Sequence, residues 1–137
     1  MFARPTLAVL LVATPALAQP AAPVKASTVT AATPSPDDRA RQWLVLIDDR
    51  NYAQGRSTAA KAFQNRGSAD AWAARMAAER ESYGAVASRD LKSVDMGRTN
   101  TATVRYDTVF AHKAAAVETL TLAFENGGWS VTGYSVN

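Results

Sequence analysis

The chain has no cysteine, and that absence excludes a good deal. Without thiols there is no disulfide framework, so packing alone must hold the fold. Thiol nucleophiles, zinc–thiolate sites and iron–sulfur clusters are excluded on the same ground, as is anchoring through a lipidated N-terminal cysteine. Histidine is nearly as scarce. The only one, His112, lies in "AHKAAA" beside Lys113, which leaves a serine triad or a histidine-rich metal site nothing to draw on. It is read as a solvated turn residue. Charge of one sign is also lacking. The 15 basic and 12 acidic residues are interspersed and leave a formal +3, without the clustered basic face of a nucleic-acid binder. No nucleic-acid partner is expected, and nothing in the chain calls for a cofactor or a metal.

Proline and glycine are each missing from one part of the chain. All six prolines precede residue 37 and all seven glycines follow residue 54. Residues 1–18, "MFARPTLAVLLVATPALA", read as an export signal. Arg4 supplies the positive start, "LAVLLVA" the apolar stretch, and "ALA" the small residues before a cut after Ala18. The apolar run is well short of the roughly 20 residues that span a bilayer, and Pro15 breaks its continuation. The expected location is therefore the periplasm or the medium, with no stable membrane anchor after cleavage. Residues 19–36, "QPAAPVKASTVTAATPSP", contain almost no large apolar side chain and read as a disordered linker, unable to offset the entropy of ordering. Residues 37–137 suffice for one single-core domain.

Within that domain the hydrophobic period changes once. "SPDDRARQWLVLIDD" offers Ser35 as N-cap, Pro36 at the first helical position and Asp38 where a capping box wants an acid. Ala40, Trp43, Leu44 and Ile47 then share a face. A second helix is expected from Ser57 through "TAAKAFQ", ending near Gly67. A third starts at Ser68, carries Trp72, Met76, Arg80 and Tyr83 on one side, and stops at Gly84. After Gly84 the period becomes two. Strands are expected over "VASRDLKSVDMG", "TATVRYDTVF", "VETLTLAF" and the C-terminal "GWSVTGYSVN". With Asn126-Gly127 as a two-residue turn, the last hairpin pairs Phe124 with Trp129, Leu122 with Val131 and Leu120 with Gly133 on one face. Thr121 pairs with Thr132 and Thr119 with Tyr134 on the other. The connection through "AHKAAA" has no diagnostic turn that sets a register. Three helices followed by four antiparallel strands describe an α+β domain, with the helices on one face of a curved sheet. Trp43, Trp72 and Trp129 are its expected core.

The ordered series Trp43-Leu44, Asp48, Tyr52, Phe63, Trp72, Arg80, Gly84, Ser88-Arg89, Tyr106, Glu118-Thr119 and "GWSVTGY" resembles the small exported bacterial proteins of the DUF4019 family. The likeness covers the whole expected domain, through the series rather than any single motif. It implies an exported bacterial protein with a fold similar to cystatin-like or NTF2-like rolls. The family carries no established activity, so no catalytic residue is transferred. Members usually have glycine where this chain has Arg50, so Asn51 is expected to cap the end of the first helix instead. A Ser-Trp pair common in relatives is replaced by Gly55 and Arg56.

Candidate chemistry gathers on few residues. Asp48 and Asp49, beyond the capping acids Asp37 and Asp38, form an adjacent acidic pair in the core region, but neighbours on a helix point about 100° apart. Asp48 is read as the partner of an arginine. Arg80 shares the inner side of the third helix and Arg89 opens the first strand; a half-buried arginine needs carboxylates or carbonyls, and Asp48 and Glu118 are the natural ones. The alternative is that these arginines, with Tyr134, line a small anion-accepting cleft. The ligand-binding candidates are thus Arg80, Arg89, Asp48, Glu118 and Tyr134. "GRSTAAK" is a weaker anion candidate, as a helix start with free N–H groups. Asp107 and Glu118 are general bases only if they face a pocket. No nucleophile–base constellation emerges. The expected role is a non-catalytic binding or accessory module for a small molecule or an envelope protein. The alternative is a small-pocket isomerase or hydrolase using one carboxylate and a tyrosine.

Overall fold

The computed structural model describes residues 32–137. The expected signal (1–18) and most of the expected linker (19–36) lie outside the described residues. The element order is α1 (Pro36–Asp48), α2 (Tyr52–Thr58), α3 (Lys61–Gln64), α4 (Ala69–Tyr83), β1 (Val86–Met96), β2 (Thr101–Phe110), β3 (Lys113–Glu125) and β4 (Gly128–Val136). The strands form one antiparallel meander in the order β1-β2-β3-β4. The helices cover the sheet face that carries Val104, Tyr106, Leu120, Leu122, Trp129 and Val131, and α1 presses Ala40, Trp43, Leu44 and Ile47 onto it. The expected α+β architecture is the one observed.

The start of α1 follows from its capping box: the Asp38 N–H donates to Ser35 Oγ at 3.1 Å and the Ser35 N–H to Asp38 Oδ2 at 3.2 Å. Its end corrects an expectation. Asn51 does not close α1; Arg50 itself takes the left-handed position, at φ 60°. The Arg50 N–H donates to Ile47 O at 3.0 Å and the Asn51 N–H to Leu46 O at 2.8 Å, the pair of bonds that a glycine ordinarily supports. Asn51 caps α2 instead, accepting from the Gln54 N–H.

The expected second helix is two helices. The chain is helical well before Ser57, then breaks at Ala59 and Ala60, because the Ala60 N–H leaves the helix to donate to Val131 O on β4 at 2.9 Å. Gly55 and Arg56 consequently lie inside α2, not at a free helix start, and Arg56 is buried. Its guanidinium donates to the carbonyls of Gln64, Gly67 and Ser68, the last at 3.0 Å. The anion site suggested by "GRSTAAK" is therefore absent; Arg56 closes the end of α3.

The β2–β3 connection is a two-residue turn at Ala111-His112, so β3 begins at Lys113, earlier than alternation indicated. The His112 imidazole is exposed, but its backbone N–H donates to Tyr83 O at 2.8 Å. That contact ties the turn to the end of α4. Gly84 has φ 76°, and a Cβ there would meet His112 Cδ2 at 2.8 Å. A side chain is barred by backbone conformation and by space alike.

In the last hairpin Phe124–Trp129 and Leu122–Val131 pair as expected, and the remaining pairs do not. A bulge inserts Thr132, so Thr121 faces Gly133, Leu120 faces Tyr134 and Thr119 faces Ser135. One extra residue turns every later side chain to the other face. Tyr134, placed on the outer face by strict alternation, instead points among the helices. Gly133 permits this close passage, since a Cβ there would lie 2.6 Å from Thr121 Oγ1.

Candidate functional site

Beneath the junction of α1, α4 and the sheet, the five sequence candidates meet in one hydrogen-bonded cluster. Glu118 projects from the middle of β3 onto the inner face and has no solvent exposure (0%). Burying a carboxylate is costly unless it is paired and fully hydrogen-bonded. Here Arg89 Nε donates to Oε2 at 2.6 Å, Arg89 Nη2 to Oε1 at 3.1 Å, and Tyr134 Oη to Oε1 at 2.6 Å. Thr108 Oγ1, on the neighbouring strand, donates to Oε2 at 2.6 Å. Arg80 Nη1 adds an ion pair at 3.8 Å.

Asp48, at the last turn of α1, receives Arg89 Nη1 at 2.7 Å and a hydrogen bond from Arg80 Nη2. A carboxylate there opposes the helix dipole, and two guanidinium groups offset it. Burial works to raise the Asp48 pKa, yet the hydrogen bonds and charges of Arg89 and Arg80 outweigh it and hold the carboxyl below its ordinary value. Burial likewise works against charge on Arg89, and Asp48 and Glu118 more than reverse it. Burial, and then the negative charge of Glu118, push the Tyr134 phenol far above the ordinary tyrosine range, so it remains a donor. Arg80 also lies over the Phe110 ring, 5.1 Å from its centroid. No buried side-chain nitrogen or oxygen among the described residues lacks a partner.

This cluster joins α1, α4, β1, β3 and β4 through ion pairs and the Tyr134 hydrogen bond, and it commits both of its carboxylates, Asp48 and Glu118, to arginines. Asp107, on the outer face, is exposed and pairs with Lys92 at 3.1 Å; Asp49 is exposed at the end of α1. Tyr106 donates to Asp37 Oδ1 at 2.5 Å, and burial first, then Asp37, raises its phenol well above the usual value. Among the described residues, no three His, Asp or Glu side chains are placed to hold a metal ion.

Open space lies beside the cluster. A cleft of about 460 Å³ separates α4 from the end of β4, with Phe63, Trp72, Met76, Tyr83 and Tyr134 along its wall. Behind this wall Trp43 links the rings: Phe63 and Trp72 meet edge-on at 5.4 Å, Trp43 meets Phe63 at 6.1 Å, and Tyr134 packs on Trp43 at 5.3 Å. Arg66, Arg75 and Glu79 stand at the cleft as well. Among the described residues neither Arg66 nor Arg75 has an ion-pair partner or a side-chain hydrogen bond. A smaller hollow of about 350 Å³ is bordered by Arg80, Asp48, Arg50 and Tyr52. Volumes of this order suit small ligands. Of the five sequence candidates only Tyr134 borders the larger cleft.

Sequence reasoning missed Arg66, Arg75 and Thr108. Thr108 left a signal, a hydroxyl in a row otherwise made of Val104, Tyr106 and Phe110. The two arginines left none, being ordinary bases on polar stretches.

No curated protein matches the chain. Among solved structures it is similar to a Campylobacter jejuni protein named as an NTF2-like transpeptidase, with TM-score 0.54 and 15% identity, covering 72% of this chain and 97% of that one. It is also similar to a Kribbella flavida protein, with TM-score 0.47 and 20% identity over 73% of this chain and 83% of that one. The first likeness supports an NTF2-like fold and, at that identity, nothing of activity. The family described as protein of unknown function (DUF4019) matches residues 39–134, at the helices, strands and paired cluster just described, and the chain belongs to that family.

Proposed function

We propose that the protein is an exported, non-catalytic binding module whose ligand enters the cleft between α4 and β4. One contrast carries this reading. Asp48 and Glu118 are neutralised by Arg80 and Arg89, while the neighbouring cleft presents an aromatic wall and the guanidinium groups of Arg66 and Arg75, which have no ion-pair partner among the described residues. Catalysis by a carboxylate and a tyrosine needs a base that can accept a proton. Asp48 is held ionised below its ordinary pKa, and Tyr134 is held as a donor to Glu118. A small-pocket isomerase or hydrolase would have to use Glu79 at the cleft as its base, since Asp48 and Glu118 are already committed to arginines. Export is supported by residues 1–18 alone, with their basic start, apolar core and small residues before Ala18.

Titration of the labelled protein with anilinonaphthalenesulfonate, an aromatic anion, followed by amide NMR, tests the site. Shifts should concentrate at Trp72, Met76, Gly133 and Tyr134 and leave β1 unmoved. Shifts confined to β1, or none at millimolar probe, would overturn it. Intact mass of the periplasmic product should correspond to a chain starting at Gln19; an uncut cytosolic chain would remove the export claim.

A further inference from the structure

The two edges of the sheet are defended differently. Unpaired edge strands template the addition of foreign strands, and proteins blunt them with charge and bulges. β1 carries Arg89, Asp90, Lys92 and Asp95, with register breaks on both sides of its centre. β4, "GWSVTGYSV", carries no charged residue and one break. Its first half is covered, because Val131 O already accepts from the Ala60 N–H. Among the described residues its second half is not.

The hydrogen-bond phase shows which groups are free. Val117 and Asn137 exchange both backbone bonds, at 2.9 and 3.1 Å. Alternation then directs Ser135 and Gly133 toward β3, and turns the N–H and C=O of Tyr134 and Val136 outward. These groups have no partner among the described residues, and they stand roughly 7 Å apart, the repeat of an extended chain. The strip Gly133–Val136 is also one wall of the α4–β4 cleft. Residues opposite one another on paired strands share a face. Side chains of an added strand opposite Tyr134 and Val136 would therefore point to the inner face, at Trp72, Met76 and Tyr83.

The geometry points to an extended peptide as the occupant, added as a strand to the β4 edge with alternate apolar side chains in the aromatic cleft and an acidic residue met by Arg66 and Arg75. This deepens the binding-module reading and rests on it. Tyr83 packs on Phe110 at 5.4 Å, beside the β2–β3 turn, and Val136, paired with Glu118, is at the end of β4 nearer that turn. The Trp72 and Arg75 end of α4 thus lies toward Gly133. The acidic residue is expected at the Gly133 end and the larger apolar one opposite Val136. Strand addition suits an uncharged edge, since backbone bonds supply affinity and alternate pockets supply selectivity.

A phage-displayed library of random dodecapeptides, selected against the folded full chain, tests this. Enriched sequences should place an aromatic or aliphatic residue two positions from Asp or Glu. The resynthesised winner, N-methylated at alternate amides, should lose about tenfold in affinity in one phase and little in the other. The double variant Arg66→Glu, Arg75→Glu should weaken it by about tenfold while the urea midpoint stays unchanged. Indifference to N-methylation in both phases would overturn strand addition, as would selected peptides whose NMR shifts fall on β1. If no peptide is enriched while anilinonaphthalenesulfonate still shifts the cleft amides, the peptide inference falls and the binding cleft stands. If neither binds, both fall.

Discussion

Arg80 and Arg89 on one side, and Arg66 and Arg75 on the other, show how one residue type is used in two ways within a small domain. The first pair is surrounded. It meets Asp48 and Glu118 through several charge-assisted bonds, and the Arg80 side chain is 8% exposed. The second pair borders the cleft without a partner among the described residues. A guanidinium group that is paired inside holds elements together; one left unpaired beside an apolar wall is available to something else. Removing the surroundings of the first pair should therefore damage the fold, and removing the second pair should not.

The largest expected effect comes from Glu118→Gln. It leaves two largely buried guanidinium groups with one carboxylate between them, and loss of one partner of a buried pair costs about 3–5 kcal/mol. Urea denaturation should show that loss; a change below about 1 kcal/mol would mean that the cluster is not what joins α4 to the sheet. Asp48→Asn should cost less, because solvent reaches Asp48 (side chain 28% exposed). Its clearer sign is in pH. A carboxyl whose folded pKa is depressed contributes stability that is present above the unfolded value of about 3.9 and lost as pH falls through the folded one. The unmodified protein should lose stability on acidification below about pH 4 more steeply than Asp48→Asn. Equal slopes in the two would assign the acid limb elsewhere.

A third use of arginine sharpens the contrast. Arg50 sits at φ 60° where glycine is the comfortable residue. Arg50→Gly should raise stability by about 1 kcal/mol, read as a higher melting temperature, whereas a drop would show that the Arg50 side chain stabilises more than its backbone strain costs. The smallest effect belongs to Arg75→Ala. Its unfolding free energy should match the parent within about 0.5 kcal/mol, while binding of an anionic probe at the cleft weakens. Destabilisation beyond that would place Arg75 with the paired arginines and erase the distinction.

Much was legible from local pattern. Ser35, Pro36 and Asp38 announced α1; Ser68 and Gly84 bounded α4; and the Asn126-Gly127 turn set the first two pairs of the last hairpin. Even the partners of Arg80 and Arg89 could be named, because a buried cation demands an anion and the chain offers few. Three features were not legible. The break at Ala59-Ala60 exists because a strand distant in sequence, through Val131, takes the Ala60 N–H. The Thr132 bulge exists because Gly133 can pass close to Thr121, and no alternation in "SVTGYSV" discloses an inserted residue. Arg66 and Arg75 look like any surface bases until α4 stands apart from β4.

The sequence by itself determined the element types, most of their ends and the need for a charge-paired interior, because caps, turns and periodicity act within a few residues. Tertiary structure alone decided that Tyr134 turns inward onto Glu118 and that an uncharged edge opens onto an aromatic cleft. Both depend on the phase of one strand relative to elements far away in the chain, and a single added residue reverses that phase.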